Sequence, residues 1–377
     1  MEKIQPSACS VANNEKGSPD TGLNIQNCPS AGSAPSKPPL VILTGPTAVG
    51  KTALSVALAK AVNGEIISAD SMQVYRRMDV GSAKVRNEEM QGIRHHLIDV
   101  LNPDEDFNVV LFQKLAKEAI SDILSRHKIP ILVGGTGFYI QSVLYDIDFT
   151  EHAEDTSLRN RLEEYARTNG AHALHELLVQ ADPKAAEEIH ENNVKRVIRA
   201  LEYHEQTGGK ISAHNEAQHK RDAAYRFYYF VLTDDRAKLY ERIDRRVDQM
   251  LKDGLVEEVK GLQQEGCHRG MVSMQGLGYK EILAYLEGEY DLERAVYLIK
   301  RDTRHFAKRQ LTWFRREKCV TWVDRQDFAD ENSILQFLIT KAEELKQMMQ
   351  DMYTAMGISP EVYEYGEQTL VSLKRPV

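Results

Sequence analysis

Between residues 39 and 146, short apolar runs alternate with longer amphipathic ones. Leu40-Val41-Ile42-Leu43 is continuously apolar, the pattern of a strand buried on both faces. A glycine-rich loop follows, and residues 53–62 then read as an Ala/Leu helix. Glu65-Ile66-Ile67-Ser68 is a second strand ending at Asp70, and His96-Leu97-Ile98-Asp99-Val100 is a third candidate leading into a Pro/Asp turn. Residues 109–125 carry the apolar stripe of a helix. Residues 129–133 form another buried strand, closed by Gly134-Gly135-Thr136-Gly137. Strands alternating with helices predict right-handed βαβ units and a parallel sheet covered on both faces.

The pattern then changes. Residues 147–222 are charged and helix-prone with no convincing strand, so they read as a helical insertion. The run Tyr225 to Leu232 is again strand-like and returns the chain to the sheet. Helices follow over 237–253 (stopped by Gly254), 255–265, 292–316 and 332–349, the last preceding a polar tail. Residues 1–38 are rich in Ser, Pro, Asn and Gly, and too poor in large apolar side chains to order themselves. They lack the apolar stretch of a signal peptide and the basic bias of a transit peptide. The predicted division is a disordered extension (1–38), an α/β core (39–146), the insertion (147–222), a core completion with a basic helical region (223–328), and a C-terminal helix and tail (329–377).

With 42% hydrophobic and 28% charged residues, the 377-residue chain has the composition of an ordinary globular protein. No apolar run approaches the ~18 residues of a membrane span, so no membrane association is expected. Cys9, Cys28, Cys267 and Cys319 are scattered, which supports neither a disulfide framework nor a zinc site and suits a reducing cytoplasm. The net charge of −8 argues mildly against nucleic acid. Locally that is misleading: nine Lys or Arg lie between Arg294 and Lys318, opposed only by Asp302 and Glu317. Such a segment is either a solvated helix face or a phosphate-binding one.

Gly45-Pro46-Thr47-Ala48-Val49-Gly50-Lys51-Thr52 fits G-x-x-x-x-G-K-[ST] between a predicted strand and a predicted helix. Backbone N–H groups of such a loop cradle phosphate oxygens at the positive end of the helix, Lys51 adds charge, and the Thr52 hydroxyl can join a Mg²⁺ shell. Asp70, at a strand's carboxyl edge, reads as a Mg²⁺-binding acid, a general base or a capping residue, and Asp99 is a rival for the metal. Thr136 sits where flanking glycines allow close approach to a ligand. His95 and His96 have no partner at metal-ligand spacing and read as structural, and His172 and His175 lie on a surface helix. Lys195, Arg196 and Arg199 share a helix face and could grip phosphates, as could Arg242 and Arg246 at i, i+4.

Together these pieces resemble the tRNA dimethylallyltransferase (tRNA isopentenyltransferase) family in its bacterial form. The resemblance is carried by residues 45–52, by Asp-Ser-Met-Gln-Val-Tyr-Arg-Arg-Met-Asp-Val-Gly-Ser-Ala-Lys (70–84) and by His-His-Leu-Ile-Asp (95–99). Leu-Val-Gly-Gly-Thr-Gly-Phe-Tyr-Ile (132–140), Arg-Ala-Leu-Glu (199–202), Gln-Gly-Leu-Gly-Tyr-Lys-Glu (275–281) and Ala-Lys-Arg-Gln-Leu-Thr-Trp-Phe-Arg (307–315) continue it in family order. It implies a P-loop NTPase-like α/β fold: a parallel sheet flanked by helices, with a helical insertion domain and a helical C-terminal region. The implied reaction moves a dimethylallyl group from its diphosphate to N6 of the adenine 3′ of the anticodon, in tRNAs reading codons that start with U.

In that reading residues 45–52, with Mg²⁺, hold the donor's diphosphate. Asp70 takes the N6 proton, Thr136 orients the reacting groups, and Arg246 joins Lys51 on the departing diphosphate. The tRNA contacts implied by the family are Asp70, Ser71, Met72, Gln73, Thr136 and Arg159. They continue with Lys195, Arg196, Val197, Ile198 and Arg199, and with the loop Met274, Gln275, Gly276, Leu277, Gly278 and Tyr279. The protein is expected to act as a monomer on the tRNA anticodon loop. The family usually has Gln where this chain has Lys195, and no Cys/His pair of an appended zinc finger follows the core. An adenylate isopentenyltransferase has the same donor but would need neither the insertion nor the basic segment. A P-loop kinase or a nucleotide switch is recommended only by residues 45–52.

Overall fold

The computed structural model describes residues 37–149 and 157–355. Its first half runs β1 (Pro39–Thr44), α1 (Lys51–Val62), β2 (Gly64–Ala69), α2 (Asn87–Met90), β3 (His95–His96), α3 (Val109–Ser125), β4 (Ile129–Gly134) and α4 (Gly137–Leu144). The insertion then contributes α5 (Ser157–Ala181), α6 (Pro183–Glu188), α7 (Val194–Thr207) and α8 (Ile211–His219). β5 (Arg226–Thr233), α9 (Arg236–Lys252), α10 (Leu255–Gln264), α11 (Tyr279–Leu286), α12 (Leu292–Phe314), β6 (Val320–Asp324) and α13 (Glu331–Ala355) complete the chain.

Among the described residues the strands form one six-stranded sheet, ordered β3-β2-β4-β1-β5-β6 and parallel throughout. β1 is central, pairing with β4 on one side and β5 on the other, which is why all six of its residues are buried. Its side chains alternate: Leu40 and Ile42 enter one core with Phe112 of α3, Ile140 of α4 and Phe314 of α12. Val41 and Leu43 enter the other with Leu58 of α1, Leu239 of α9 and Leu338 of α13. This is the P-loop NTPase-like α/β architecture that the sequence predicts.

Local chemistry sets the helix ends. Asn108 accepts from the N–H groups of Val110 and Leu111 to start α3, and Asp235 does the same for Ala237 and Lys238 at α9. The insertion has a small core of its own, with Leu174, Leu178, Val197 and Ile198 buried together. Asp182 caps α6 and also accepts from the backbone and hydroxyl of Ser212, tying α6 to α8.

Several expectations need correction. The predicted strand over 96–100 shrinks to His95–His96, because Leu97 and Asp99 take positive φ (62° and 54°) and turn the chain out of the sheet. The Asp99 and Val100 N–H groups bond instead to the Gln73 and Val74 carbonyls. β6, unforeseen in the sequence, adds a sixth strand beside β5. α13, the expected C-terminal helix, buries Ile334, Leu338, Ala342 and Leu345 in the same core as α1. The expected extension lies outside the described residues but for its last two, as does the tail beyond 355. Among the described residues no helix is long and apolar enough to cross a membrane.

Candidate active site

Three loops leave the sheet side by side. Gly134 at the end of β4 pairs with Thr44 of β1 and with Ala69 of β2, so the loops beginning at Gly45, Asp70 and Gly135 start level at the carboxyl edge. The Thr44 hydroxyl donates to the Gly134 carbonyl at 2.6 Å, and the Thr136 N–H donates to the Ala69 carbonyl at 3.4 Å. Phosphate loop, acid and threonine are thereby joined by backbone.

Within the phosphate loop the Val49 N–H donates to the Pro46 carbonyl at 3.4 Å. Gly50 enters α1 with φ 95°, a conformation that costs a side-chain-bearing residue about 1–2 kcal/mol. Lys51 Nζ donates to the carbonyls of Gly45 and Pro46, both at 2.9 Å, so the ammonium folds back across the loop. Arg246 of α9 donates to the Thr47 hydroxyl at 3.3 Å. Burial and then the Arg246 charge bring Lys51 down to about 7, with Asp70 pulling the other way. Burial likewise lowers Arg246, against the pull of Asp70 and Glu89. Two cations and one carboxylate therefore share one site. Arg242, read from sequence as a second phosphate ligand, donates instead to the Ala48 carbonyl at 3.0 Å.

Asp70 Oδ1 accepts from the Met72 N–H at 2.8 Å and the Gln73 N–H at 3.3 Å. This local turn fixes the carboxylate and opens the 70–84 segment. Farther along, the Lys84 ammonium is buried and reaches the Tyr75 carbonyl, Asp79 (2.5 Å) and Asp99 (2.6 Å). Asp99, the rival metal candidate, is thus engaged in an ion pair. The histidines are structural as expected: His96 bonds Glu65 at 2.8 Å and His95 bonds the Ile93 carbonyl at 2.9 Å. Glu65 is buried, which alone would raise its pKa, but His96, Arg126 and Lys128 outweigh burial and hold it far below the usual carboxylate range.

Thr136 caps α4 through its carbonyl, which accepts from Tyr139 and Ile140, and its hydroxyl takes no part in the capping. α12 packs directly on this loop. Gln310 donates to the Gly135 carbonyl and accepts from the Thr47 N–H, both at 2.9 Å, so one buried amide spans both glycine loops. One turn on, the Trp313 indole fills the space a Cβ on Gly137 would need. Sequence reasoning missed both roles. The available signal was their i, i+3 spacing in the stretch 307–315, which puts them on one helix face.

The other expected contacts divide by exposure. Ser71, Met72 and Gln73 are half-buried beside Asp70, and Lys195 and Arg196 are exposed on α7. Arg199 is half-buried and depressed by burial, while Arg159 is paired in a fork with Glu202 at 3.0 and 3.1 Å. The side chains of Val197 and Ile198 lie in the insertion core, so they hold α7 in place rather than face solvent. Gln275 is exposed and Gly276 and Leu277 are half-buried, but Gly278 is buried and Met274 and Tyr279 are fully so. The Tyr279 hydroxyl donates to Glu258 at 2.7 Å and accepts from the Ser82 N–H at 3.1 Å, bracing the 70–84 segment from behind. On α12, Lys300 and Arg304 pair with Asp248 and Asp244 of α9. His305, Lys308, Arg309, Thr312, Trp313 and Arg316 line an open groove of about 400 Å³.

Among the described residues no group of three or more His, Cys, Asp or Glu could hold a metal ion. The exposed Thr52 hydroxyl at the first turn of α1 and the Asp70 carboxylate are oxygen donors of this site. So sparse a set fits Mg²⁺, which keeps several waters and takes further ligands from substrate phosphates.

The chain matches the model of the IPP transferase family over residues 73–317. A tRNA dimethylallyltransferase of Lachnoclostridium phytofermentans is 63% identical over 297 residues, which is 79% of this chain and 95% of the relative. One from Acetivibrio thermocellus is 50% identical over 79% of this chain and 96% of its own length. Among solved structures, the full-length tRNA isopentenylpyrophosphate transferase of Bacillus halodurans aligns with TM-score 0.64 and 44% identity, covering 84% of this chain and all of that one. A eukaryotic dimethylallyltransferase acting on tRNA aligns with TM-score 0.71 and 29% identity, covering 82% of this chain and 80% of that one. With a phosphate loop, an oriented acid and a helical insertion arranged on this sheet, the chain belongs to the IPP transferase family, the tRNA dimethylallyltransferases.

Proposed function

We propose that the protein transfers a dimethylallyl group from dimethylallyl diphosphate to N6 of the adenine 3′-adjacent to the anticodon, in tRNAs reading codons that start with U, and releases diphosphate. One observation carries the reading: the loops beginning at Gly45 and Asp70 leave the carboxyl edge on either side of β4, the first bonded by Lys51 and Arg246 and the second opened by Asp70, which the Met72 and Gln73 N–H groups fix. This arrangement supports a proton acceptor beside a clamp for a leaving anion.

In the reaction, N6 attacks C1 of the donor as the C1–O bond to diphosphate breaks, and that bond's electron pair leaves with diphosphate. The N6 lone pair is delocalised into the ring, so removal of its proton by Asp70 as bonding develops assists a poor nucleophile. Lys51, Arg246 and the N–H groups of residues 45–52 stabilise charge growing on the departing oxygen. The Thr136 hydroxyl orients the reacting groups. Thr52 would help hold Mg²⁺, which when bound neutralises part of the diphosphate charge.

The exposed cations of α7 and the basic outer face of α12 suit tRNA phosphates, and a loop adenine can be unstacked into a pocket at low cost. A free adenine nucleotide would use neither surface. Incubation with labelled dimethylallyl diphosphate, Mg²⁺ and either unmodified tRNA or AMP tests this. Label in tRNA alone supports the proposal, and label in AMP overturns it.

A further inference from the structure

Asp234, Arg242 and Arg325 lie against the outer side of the phosphate loop and play no part in the chemistry above. Asp234 is almost fully buried at the end of β5 and meets both guanidinium groups, Arg242 at 2.6 Å and Arg325 at 3.7 Å. Each arginine also donates to the loop: Arg242 Nε to the Ala48 carbonyl at 3.0 Å, and Arg325 Nη1 to the Val49 carbonyl at 2.9 Å. Arg325 further pairs with Glu331 at the start of α13. It stands eight residues beyond the stretch matched by the family model.

The geometry of the peptide unit gives these contacts a meaning. In a trans peptide the carbonyl and the following N–H point in opposite directions. The Ala48 carbonyl shares its peptide plane with the Val49 N–H, and the Val49 carbonyl shares its plane with the Gly50 N–H. The Arg325 bond to the Val49 carbonyl therefore fixes the Gly50 N–H on the opposite side and polarises it toward an anion, whereas the Val49 N–H, opposite the Arg242 bond, donates to the Pro46 carbonyl at 3.4 Å. Gly50 is fitted to this arrangement, since a Cβ there would lie 2.9 Å from Arg325 Nη1. Neither arginine needs to touch the ligand to act on it.

We propose that Arg325, balanced with Arg242 against Asp234, is a positioning residue that aims the Gly50 N–H into the diphosphate cradle, while Arg242 holds the loop at Ala48. The proposal rests on the reading of residues 45–52 as a diphosphate site. It also makes docking of the β6–α13 segment a condition of full phosphate affinity, because Arg325 and its partner Glu331 both come from that segment.

Calorimetric titration of the full chain with inorganic pyrophosphate and Mg²⁺ tests it. Losing one charge-assisted bond behind the cradle is expected to weaken pyrophosphate about tenfold in Arg325→Met. The donor kcat/KM should fall at least in step, with tRNA affinity held within about twofold, a split that general loosening of the fold would not produce. Arg325→Lys, which retains a charge facing Asp234 and Glu331, should fall between Arg325→Met and wild type. A folded Arg325→Met that binds pyrophosphate as tightly as wild type overturns the proposal. Should that variant not fold, Arg325→Lys decides: weakened binding supports the proposal, and binding equal to wild type overturns it. Wild type failing to bind pyrophosphate would overturn the diphosphate reading itself, and the proposal with it.

Discussion

The Thr47 N–H donates to Gln310 Oε1 at 2.9 Å across 263 positions of sequence, while the same side chain donates to the Gly135 carbonyl. Gln310→Glu would keep the acceptor and lose the donor, setting a carboxylate oxygen against that carbonyl. We expect kcat/KM to fall by about tenfold or more, and Gln310→Ala to cost about 1–3 kcal/mol of stability. Steady-state kinetics and denaturant melts check both; an unimpaired Gln310→Glu enzyme would refute the coupling of the two loops.

Close packing of α12 on the Gly135–Gly137 turn makes a second prediction. Gly137→Ala drives a methyl into the Trp313 indole, with an expected cost of about 1–3 kcal/mol. Gly261, inside α10, has nothing within 4 Å of a Cβ, so Gly261→Ala should stabilise by about 0.5–1 kcal/mol. Thermal melts that rank the two alike would show that crowding at Gly137 does not matter.

Lys51 predicts the pH dependence of diphosphate binding. Burial and Arg246 hold its pKa near 7, and a bound anion would raise it. Below about 7 the ammonium is charged before and after binding, so affinity is flat. Above that, binding must take up a proton, and affinity should weaken by up to about tenfold per pH unit. Lys51→Met should lack this component. The difference between the two titrations isolates it from the protonation of the ligand itself.

Asp70→Asn keeps the size of the side chain and an acceptor oxygen for the Met72 and Gln73 N–H groups, but cannot take a proton. Transfer should slow by about 10²–10⁴-fold, with tRNA affinity little changed. Single-turnover rates beside filter-binding isotherms separate chemistry from binding, and full activity would remove Asp70 from the role of base.

Tyr279 belongs to a loop that the family resemblance associates with tRNA, yet its side chain is buried behind the 70–84 segment. Tyr279→Phe strands the Ser82 N–H and should cost about 1–2 kcal/mol, with only a modest loss of tRNA affinity. A steep loss of tRNA affinity at unchanged stability would make Tyr279 a direct contact instead.

The central strands and the phosphate loop were legible in the sequence because each is a local pattern. Leu40 to Leu43 is buried on both faces and so wholly apolar, and the loop's glycines, Lys51 and Thr52 must stand at fixed offsets to meet one phosphate. β6 was hidden because Val320–Asp324 is short and follows directly on a basic helix, and its partner β5 lies some ninety residues earlier. The 96–100 strand was overread because Lys84 and the Gln73 and Val74 carbonyls, all outside that window, pull Asp99 and Val100 from the sheet. The groups that shape the phosphate loop from outside share this non-local origin. Arg242, Gln310 and Arg325 reach it from 194, 263 and 276 positions away, and no spacing rule connects them to it.

That distance bears on how the protein is made. A ribosome releases the phosphate loop well before β5, which closes the second side of β1 and begins at residue 226, and Arg325 follows nearly a hundred residues later. No nascent chain shorter than that holds every group that shapes the loop. On the proposed diphosphate reading, the binding loop is thus completed late in synthesis, after the insertion and the basic face of α12 have already left the ribosome.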